Sequence, residues 1–505
     1  MHKHLISLLL VTFFFGSCTP APTSPLPIPF DQTQGKLATA TQTIIPSATP
    51  SPTQTEIPSV TPFPPLQTDG PNLLFIKNRK TLTMMGIDGI INKEIPIPNI
   101  TYTDLEKAVS PNGRWLAYFT GSIREPYDFT LNLLDISNGE SNIIANLIGP
   151  DFPENLRPIA ETLDLSHYQG ECSNVECLIN LNSIILGDGI ASLAWAPDSQ
   201  ILAFAAQIDG PSSDIYLYDT ESRTIRRLTD EIEHIWSIYW SPTGEFISYD
   251  AALPGPVDPY VYWYMADTRI NTTQSSRMNA GPSYYVTRFG WITDTAYLYA
   301  IDTVYYEPMG PGPIFTSVQY INFENNEKKE IWPYGSESIV MDQENSKVIL
   351  TTNGDNDSQL SAGTYMVSLD GSFIQLSDTT YELIKGQDSF KTYFAHDEND
   401  QIYSISPNGE VKLLGQGRGI EPIISPDKNR ILIFNNNNTK ITLYSDDFQP
   451  VNSWIFDEGI YSNGIKWSPD ALGIAISTFN RKYYLSIPNG MPKPIDISDN
   501  FIWLP

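Results

Sequence analysis

The sequence predicts an all-β protein built from one repeated unit, and three observations lead there. A strand–turn–strand phrase, clearest at Ile238-Tyr-Trp-Ser-Pro-Thr-Gly-Glu-Phe-Ile-Ser-Tyr249, returns along the chain. Aromatic residues make up 12% of the chain and charged residues only 17%, a balance that suits packed sheets better than solvated helices. No segment between Gly70 and Pro505 carries a sustained helical apolar period. Recurrence every few tens of residues is the mark of a repeat architecture.

The chain opens with an address. Residues 1–17 hold Lys3, an apolar run from Leu5 to Phe15 and the small pair Gly16-Ser17, which is the anatomy of a secretory signal peptide. That run is short against the roughly 20 residues that cross a bilayer. Phe15-Gly-Ser-Cys18 resembles the bacterial lipobox, with Phe15 where the family more often has Leu. The resemblance implies cleavage before Cys18, lipidation of its thiol, and an exported, membrane-anchored lipoprotein at the periplasmic or extracellular face. An ordinary signal peptide or a transmembrane anchor is the alternative reading.

Residues 18–69 follow as a tract of Pro, Thr, Ser and Gln with almost no charge and no apolar period, as in Pro46-Ser-Ala-Thr-Pro-Ser-Pro-Thr53. Such a composition predicts a disordered linker. Extended as polyproline II at about 3.1 Å per residue, it would reach on the order of 150 Å. Residues 70–505 form the folded domain, uninterrupted by a second linker.

Within that domain the turn of each unit serves as a marker. Ser241-Pro-Thr-Gly244 suits a type I turn: Pro presets φ, the Ser hydroxyl caps, and Gly accepts a positive φ. On either side Ile238 and Trp240, then Phe246 and Ser248, alternate with their neighbours at the period that buries one face of a strand. Copies stand at Val109–Tyr118, Trp195–Phe204, Trp291–Tyr299, Ile424–Ile433 and Trp467–Ile476, with weaker units at Val340–Leu350 and Gly386–Phe394. After the first interval the markers fall roughly 38 to 51 residues apart, the length of a four-stranded unit. Two further strands follow most of them, as in Asp214-Ile-Tyr-Leu-Tyr-Asp219 and Thr224-Ile-Arg-Arg-Leu-Thr229.

Trp-Ser-Pro-Asp/Thr-Gly, an apolar second strand, a third ending in Tyr-Asp and a fourth ending in Leu-Thr together resemble the WD40-like repeats of TolB-type β-propellers. The propeller domains of prolyl oligopeptidase and dipeptidyl peptidase relatives carry similar repeats. The resemblance covers residues 73–505 and implies a β-propeller of four-stranded antiparallel blades, with the tryptophans and Ser-Pro turns structural. Leu73–Ile76, Thr81–Met84 and Lys93–Ile97 read as three strands lacking a first, and Phe501–Leu504 as a first strand lacking a blade. Pairing of these N- and C-terminal strands would close the ring. Counted literally the units give nine blades; the expectation is eight, within seven to nine, with one weak unit at 340–415 miscounted.

A meander puts alternate loops on opposite faces. Turns between first and second, and third and fourth, strands are short, as Ile487-Pro-Asn-Gly490 shows. The other face collects longer, varied loops near 122–127, 207–213, 251–259, 303–313 and 353–363, together with an insertion at 149–189. Loops on a rigid scaffold carry function, so the candidate binding residues lie there: Tyr127, Asp209, Asp258, Tyr260, Tyr305, Tyr306, Asp355 and Asp357. Tyr262 and Trp263 belong to the same aromatic group, suited to stacking on sugars or to a protein interface, although some of these must face the core. Cys172 and Cys177 in the insertion read as a disulfide closing a small loop.

Catalytic signatures are absent from the sequence. His167, His234 and His396 are scattered, and there is no His-Glu-x-x-His, Gly-x-Ser-x-Gly, Walker or dinucleotide motif. No catalytic, cofactor or metal residue is therefore assigned, and a complete prolyl oligopeptidase is not expected. Asp355-Asn-Asp357 and Asp397-Glu-Asn-Asp400 offer oxygen ligands for Ca²⁺ without the full spacing of a calcium loop, and read as solvated turns. The net charge of −28 argues against nucleic acid as a partner. What remains is a binding or scaffolding module for envelope proteins, peptides or glycans, held at the membrane through its lipid. The alternative is a glycan- or peptide-active enzyme with carboxylates in the central funnel.

Overall fold

The computed structural model describes residues 63–504, apart from 99, 101–103, 123–127, 150–191, 209–211, 231–233, 253–260, 270–274, 278–285, 304–313, 355–359, 385–391, 417–421, 435–438 and 499. These residues belong to a compact unit spanning Thr61–Pro505. The signal segment, Cys18, most of the linker and the Cys172/Cys177 insertion lie outside the described residues.

The Ser-Pro phrase forms the turn its residues dictate. Gly244 donates its N–H to the Ser241 carbonyl (2.9 Å), and the Ser241 hydroxyl accepts the Phe246 N–H (3.0 Å). Ser110, Ser425 and Ser468 cap Trp115, Arg430 and Gly473 in the same way, at 3.0, 3.0 and 2.8 Å. The left-handed slot closing each turn takes Gly244 (φ 75°), but also Lys428 (φ 56°) and Ala471 (φ 57°). In these four turns the serine cap is constant and the glycine is not; blade three has Ala196 in the serine's place and keeps the backbone bond from the Ser199 N–H to the Ala196 carbonyl (2.9 Å).

Nine antiparallel sheets stand among the described residues, one more than the eight expected. Blade one joins Asn72–Lys77, Thr81–Gly86 and Ile91–Pro96 to the C-terminal Phe501–Leu504. Blade two has Trp115–Thr120, Thr130–Asp135 and Ser141–Asn146; a short helix, Leu105–Ala108, and a single bridge from Val109 to Leu116 stand in for its first strand. Blade three runs from Leu193–Trp195 through Ile201–Ala206 and Asp214–Asp219 to Ile225–Arg227. Blade four comprises His234–Trp240, Phe246–Ala252, Val261–Asp267 and Ser275–Arg277, and blade five Val286–Trp291, Ala296–Thr303, Ile314–Asn322 and Glu327–Trp332.

Blades six and seven span the region where a unit was expected to drop out. Both are complete, with first strands Ser338–Asp342 and Glu382–Leu383. The seventh carries a weak sequence signal because its first strand is two residues long and has neither the Trp nor the Ser-Pro marker. Blades eight and nine begin at Ile423–Ile424 and Ile460–Trp467.

Nine apolar clusters hold the sheets together, one between each successive pair. Leu74, Leu82 and Ile95 of blade one meet Leu116, Tyr118 and Leu134 of blade two. At the other end of the chain, Ala475 of blade nine packs with Leu73, Phe75 and Phe501 of blade one. The last strand pairs antiparallel with the first, Asn72 opposite Leu504 and Phe75 opposite Phe501, so the ring closes as its terminal strands predicted. The protein is a β-propeller.

Because each sheet is covered on both sides, the expectation of one buried face per strand fails for the middle strands. Phe246, Ile247, Ser248 and Tyr249 are all buried, and so is every residue of Gly473–Thr478. Large apolar residues reach water mainly on fourth strands, as at Ile143 and Ile455. Those strands form the outer rim, and the first strands line the central channel.

The repeat tryptophans tie neighbouring first strands together. Trp195 donates its indole N–H to the Ala108 carbonyl (2.9 Å), Trp240 to Ala194 (2.9 Å), Trp467 to Ile423 (3.3 Å) and Trp503 to Lys466 (2.9 Å). Each acceptor belongs to the preceding blade and sits just before that blade's own marker position. The indole thus fills the core between blades while its N–H satisfies an inner-edge carbonyl that would otherwise be orphaned.

Candidate functional site

The period of two fixes what the channel wall presents. With the tryptophan of a first strand turned between blades, the residue before it turns to the channel. Tyr239 precedes Trp240 and is 45% exposed; Lys466 precedes Trp467 and its side chain is 25% exposed. A cavity of about 940 Å³ opens along this wall from blade two to blade five. Tyr239, Trp240, Arg288 and Phe289 line it from blades four and five, and Glu106 and Lys107 from the short helix of blade two. Pro111 of the Ser-Pro turn of blade two and Pro197 of the Ala-Pro turn of blade three reach the same wall. A smaller cavity of about 410 Å³, bordered by Lys466 and Trp503, shares Glu106 and Pro111 with the first.

Blade five departs from the repeat where the cavity is lined. Its turn is one residue shorter, since Trp291 pairs with Tyr297 whereas Trp240 pairs with Ile247. A bulge between Arg288 and Gly290, with Gly290 at φ 132°, interrupts its first strand. The Trp291 indole N–H has no hydrogen-bond partner among the described residues, so the tie found at Trp195 and Trp240 is missing here. Trp291 instead packs against Tyr297 and Phe323, with ring centroids 5.3 and 4.8 Å away.

The charges of the cavity are compensated. The Arg288 guanidinium forms an ion pair with Asp250 on the second strand of blade four, whose side chain is 5% exposed. Burial lowers the Arg288 pKa from its ordinary value. Burial likewise pushes the Tyr297 phenol, at the back of the cavity, up to about 12. Glu106 pairs with Lys466, which also donates to the Phe501 carbonyl (2.8 Å). Asp104 caps the short helix by accepting the Glu106 N–H (3.2 Å). Among the described residues, the two carboxylates lining the cavity, Asp104 and Glu106, take part in these bonds.

The residues named from sequence fare unevenly. Tyr127, Asp209, Asp258, Tyr260, Tyr305, Tyr306, Asp355 and Asp357 all lie outside the described residues, as do Cys18, Cys172, Cys177 and His167. Trp263 is corrected: it is a core residue, 5% exposed, donating to the Ser248 hydroxyl (2.6 Å) and packed on Tyr297 and Tyr299. Its strand has a blade on either side, and that converts a loop-like aromatic run into core. Asp397 spends its carboxylate on the Asn399 and Gln401 N–H groups, both at 2.9 Å, and on the Tyr403 hydroxyl at 3.2 Å. That is the turn its sequence suggested. Among the described residues no three His, Cys, Asp or Glu side chains are grouped to hold a metal ion. His234 and His396 are buried on separate blades.

Tyr239, Arg288, Glu106 and Lys466 were not singled out from sequence. Alternation carried one residue back from each repeat tryptophan would have flagged Tyr239 and Lys466. Nothing local marks Arg288, because its partner Asp250 is on another blade.

No family model matches the chain, and no curated protein matches it. Similar solved structures include a eukaryotic initiation factor, 11% identical with a TM-score of 0.48, covering 87% of this chain and 99% of that one. Dipeptidyl peptidase 4 of Porphyromonas gingivalis is 10% identical with a TM-score of 0.46, over 81% of this chain and 63% of that one. TolB of Acinetobacter baumannii is 13% identical with a TM-score of 0.27, over 75% and 77%. At these values none carries a functional assignment, and the propeller rests on the nine sheets and their closure.

Proposed function

We propose that this is an exported, lipid-anchored β-propeller that acts as a binding or scaffolding module of the bacterial cell envelope, with its ligand held in the central channel. The carrying observation is the cavity of about 940 Å³ where blade five breaks the repeat, lined by exposed Tyr239 and by Arg288. The signal anatomy of residues 1–17 and the lipobox-like Phe15-Gly-Ser-Cys18 support the anchor. Among the described residues no helix is long and apolar enough to cross a membrane.

The test has two readouts. The full chain should partition with membranes, and Cys18→Ala should release it to the aqueous fraction. The domain from residue 61, crosslinked in envelope extract and against immobilised glycans, should retain a ligand that Tyr239→Ala loses. Retention of nothing, or retention indifferent to Tyr239, counts against channel binding; an unchanged distribution of Cys18→Ala counts against the anchor.

A further inference from the structure

The geometry points to an uncharged saccharide as the ligand class of the channel cavity, an inference that rests on the channel-binding reading above. Charge is the first argument. The chain carries −28 overall, yet Arg288 and Lys466 are matched by Asp250 and Glu106, and Lys107 stands beside Asp104 on the same wall. Among the described residues these make three cations and three anions at the cavity. An ionic ligand would give up its hydration without an uncompensated partner, which is costly in a half-enclosed site. A neutral, hydroxyl-bearing ligand avoids that cost.

The wall supplies what such a ligand needs. Tyr239, Trp240 and Phe289 offer aromatic surface in one cavity, and a pyranose presents a C–H face that stacks on such rings. Asp250 is the only ion-pair or hydrogen-bond partner of Arg288 among the described residues, while a guanidinium has five N–H donors. Hydroxyls can take the donors left over, and the Glu106 carboxylate, 62% exposed, can accept in return. The cavity, about 940 Å³, sits at the upper end of the roughly 300–1,000 Å³ typical of small-ligand sites, which suits a short oligosaccharide.

A peptide is disfavoured by the inner strand edges. A peptide adding itself as a strand needs free edge carbonyls. At this wall the carbonyls of Ala108 and Ala194 are already occupied by Trp195 and Trp240.

The experiment titrates the domain from residue 61 with three probe sets: neutral β-linked oligosaccharides (cello-, manno- and N-acetylchito-oligomers), uronic-acid oligomers, and tetrapeptides. Binding is followed by tryptophan fluorescence and calorimetry. The expected result is saturable binding of a neutral set that tenfold more salt changes less than about twofold, since no net charge is engaged. Tyr239→Ala should weaken it about tenfold or more, equivalent to roughly 1.4 kcal/mol, and Tyr239→Phe should retain most of it. Preference for the acidic or peptide probes, strong salt dependence, or an unaffected Tyr239→Ala overturns the saccharide assignment. No saccharide binding alongside a protein captured in a Tyr239-dependent way overturns only the ligand class. Silence in both experiments removes the channel-binding reading with it.

Discussion

His234 shows how one buried side chain sets a response to pH. It is 2% exposed; its Nδ1 accepts the Ser213 N–H (3.2 Å), and Nε2 has no partner among the described residues. Burial, which penalises the imidazolium, holds its pKa down to about 4. In the unfolded chain the same ring titrates near 6.5. Between about 6.5 and 4 the unfolded state therefore binds a proton that the native state does not, and stability falls as pH falls, by up to roughly 1.4 kcal/mol per pH unit from this group. Urea denaturation at pH 7, 6 and 5 should show a shallower loss for His234→Gln than for the wild type. Equal slopes would rule out a neutral buried imidazole as the source.

At the scale of elements, the last stretch of the linker is part of the fold. Phe63 meets Trp115 edge-on, with ring centroids 5.4 Å apart, and lies under the Arg114 guanidinium at 4.6 Å. Arg114 is fixed by Asp135 through Nε (3.2 Å) and Nη2 (2.8 Å). Burial acts to raise the Asp135 pKa, but the bonds from Arg114 and Ser137 outweigh it and hold the carboxyl below its usual range. Leu66 adds a backbone bond to Asn112 (3.1 Å), so the chain enters the domain along the Ser-Pro turn of blade two. The clamp combines an aromatic pair and a cation–π contact, together about 1–2 kcal/mol. In Phe63→Ala, amide exchange over residues 63–68 should accelerate about tenfold with little change in Tm. Unchanged exchange would mean that Leu66 alone holds the segment.

At the scale of the molecule, closure depends on four residues at the end of the chain. Phe501 and Leu504 are buried, and Trp503 ties blade one to Lys466 of blade nine. Ending the chain at residue 500 would expose the inner edge of blade one and remove two buried side chains, each contributing about 1.5–3 kcal/mol. With the lost ladder bonds, that approaches the whole stability of a typical domain, about 5–15 kcal/mol. The truncated protein should lose its single cooperative unfolding transition and associate through the open edge, which size-exclusion chromatography and denaturant titration would read. A monomer with wild-type cooperativity would show that the ring holds without its closing strand.

The sequence by itself determined the repeated turn, the all-β class and the closure, because each depends on short-range chemistry. Ser241 caps Phe246 within five residues, and an unpaired first strand at Phe501–Leu504 answers a blade that lacks one. Tertiary structure alone decided the ninth blade: Glu382–Leu383 is too short to announce itself and is held as a strand by Tyr393–His396 and by its neighbours. It also decided the site. Arg288 and Asp250, or Lys466 and Glu106, become partners only when the ring brings separate blades together, the latter across 360 residues. Trp263 reads the same in a loop or a strand, and only the blades packed on either side make it core. Contacts along one strand are written in the local pattern; contacts around the ring depend on how nine sheets stack, and no local pattern carries that.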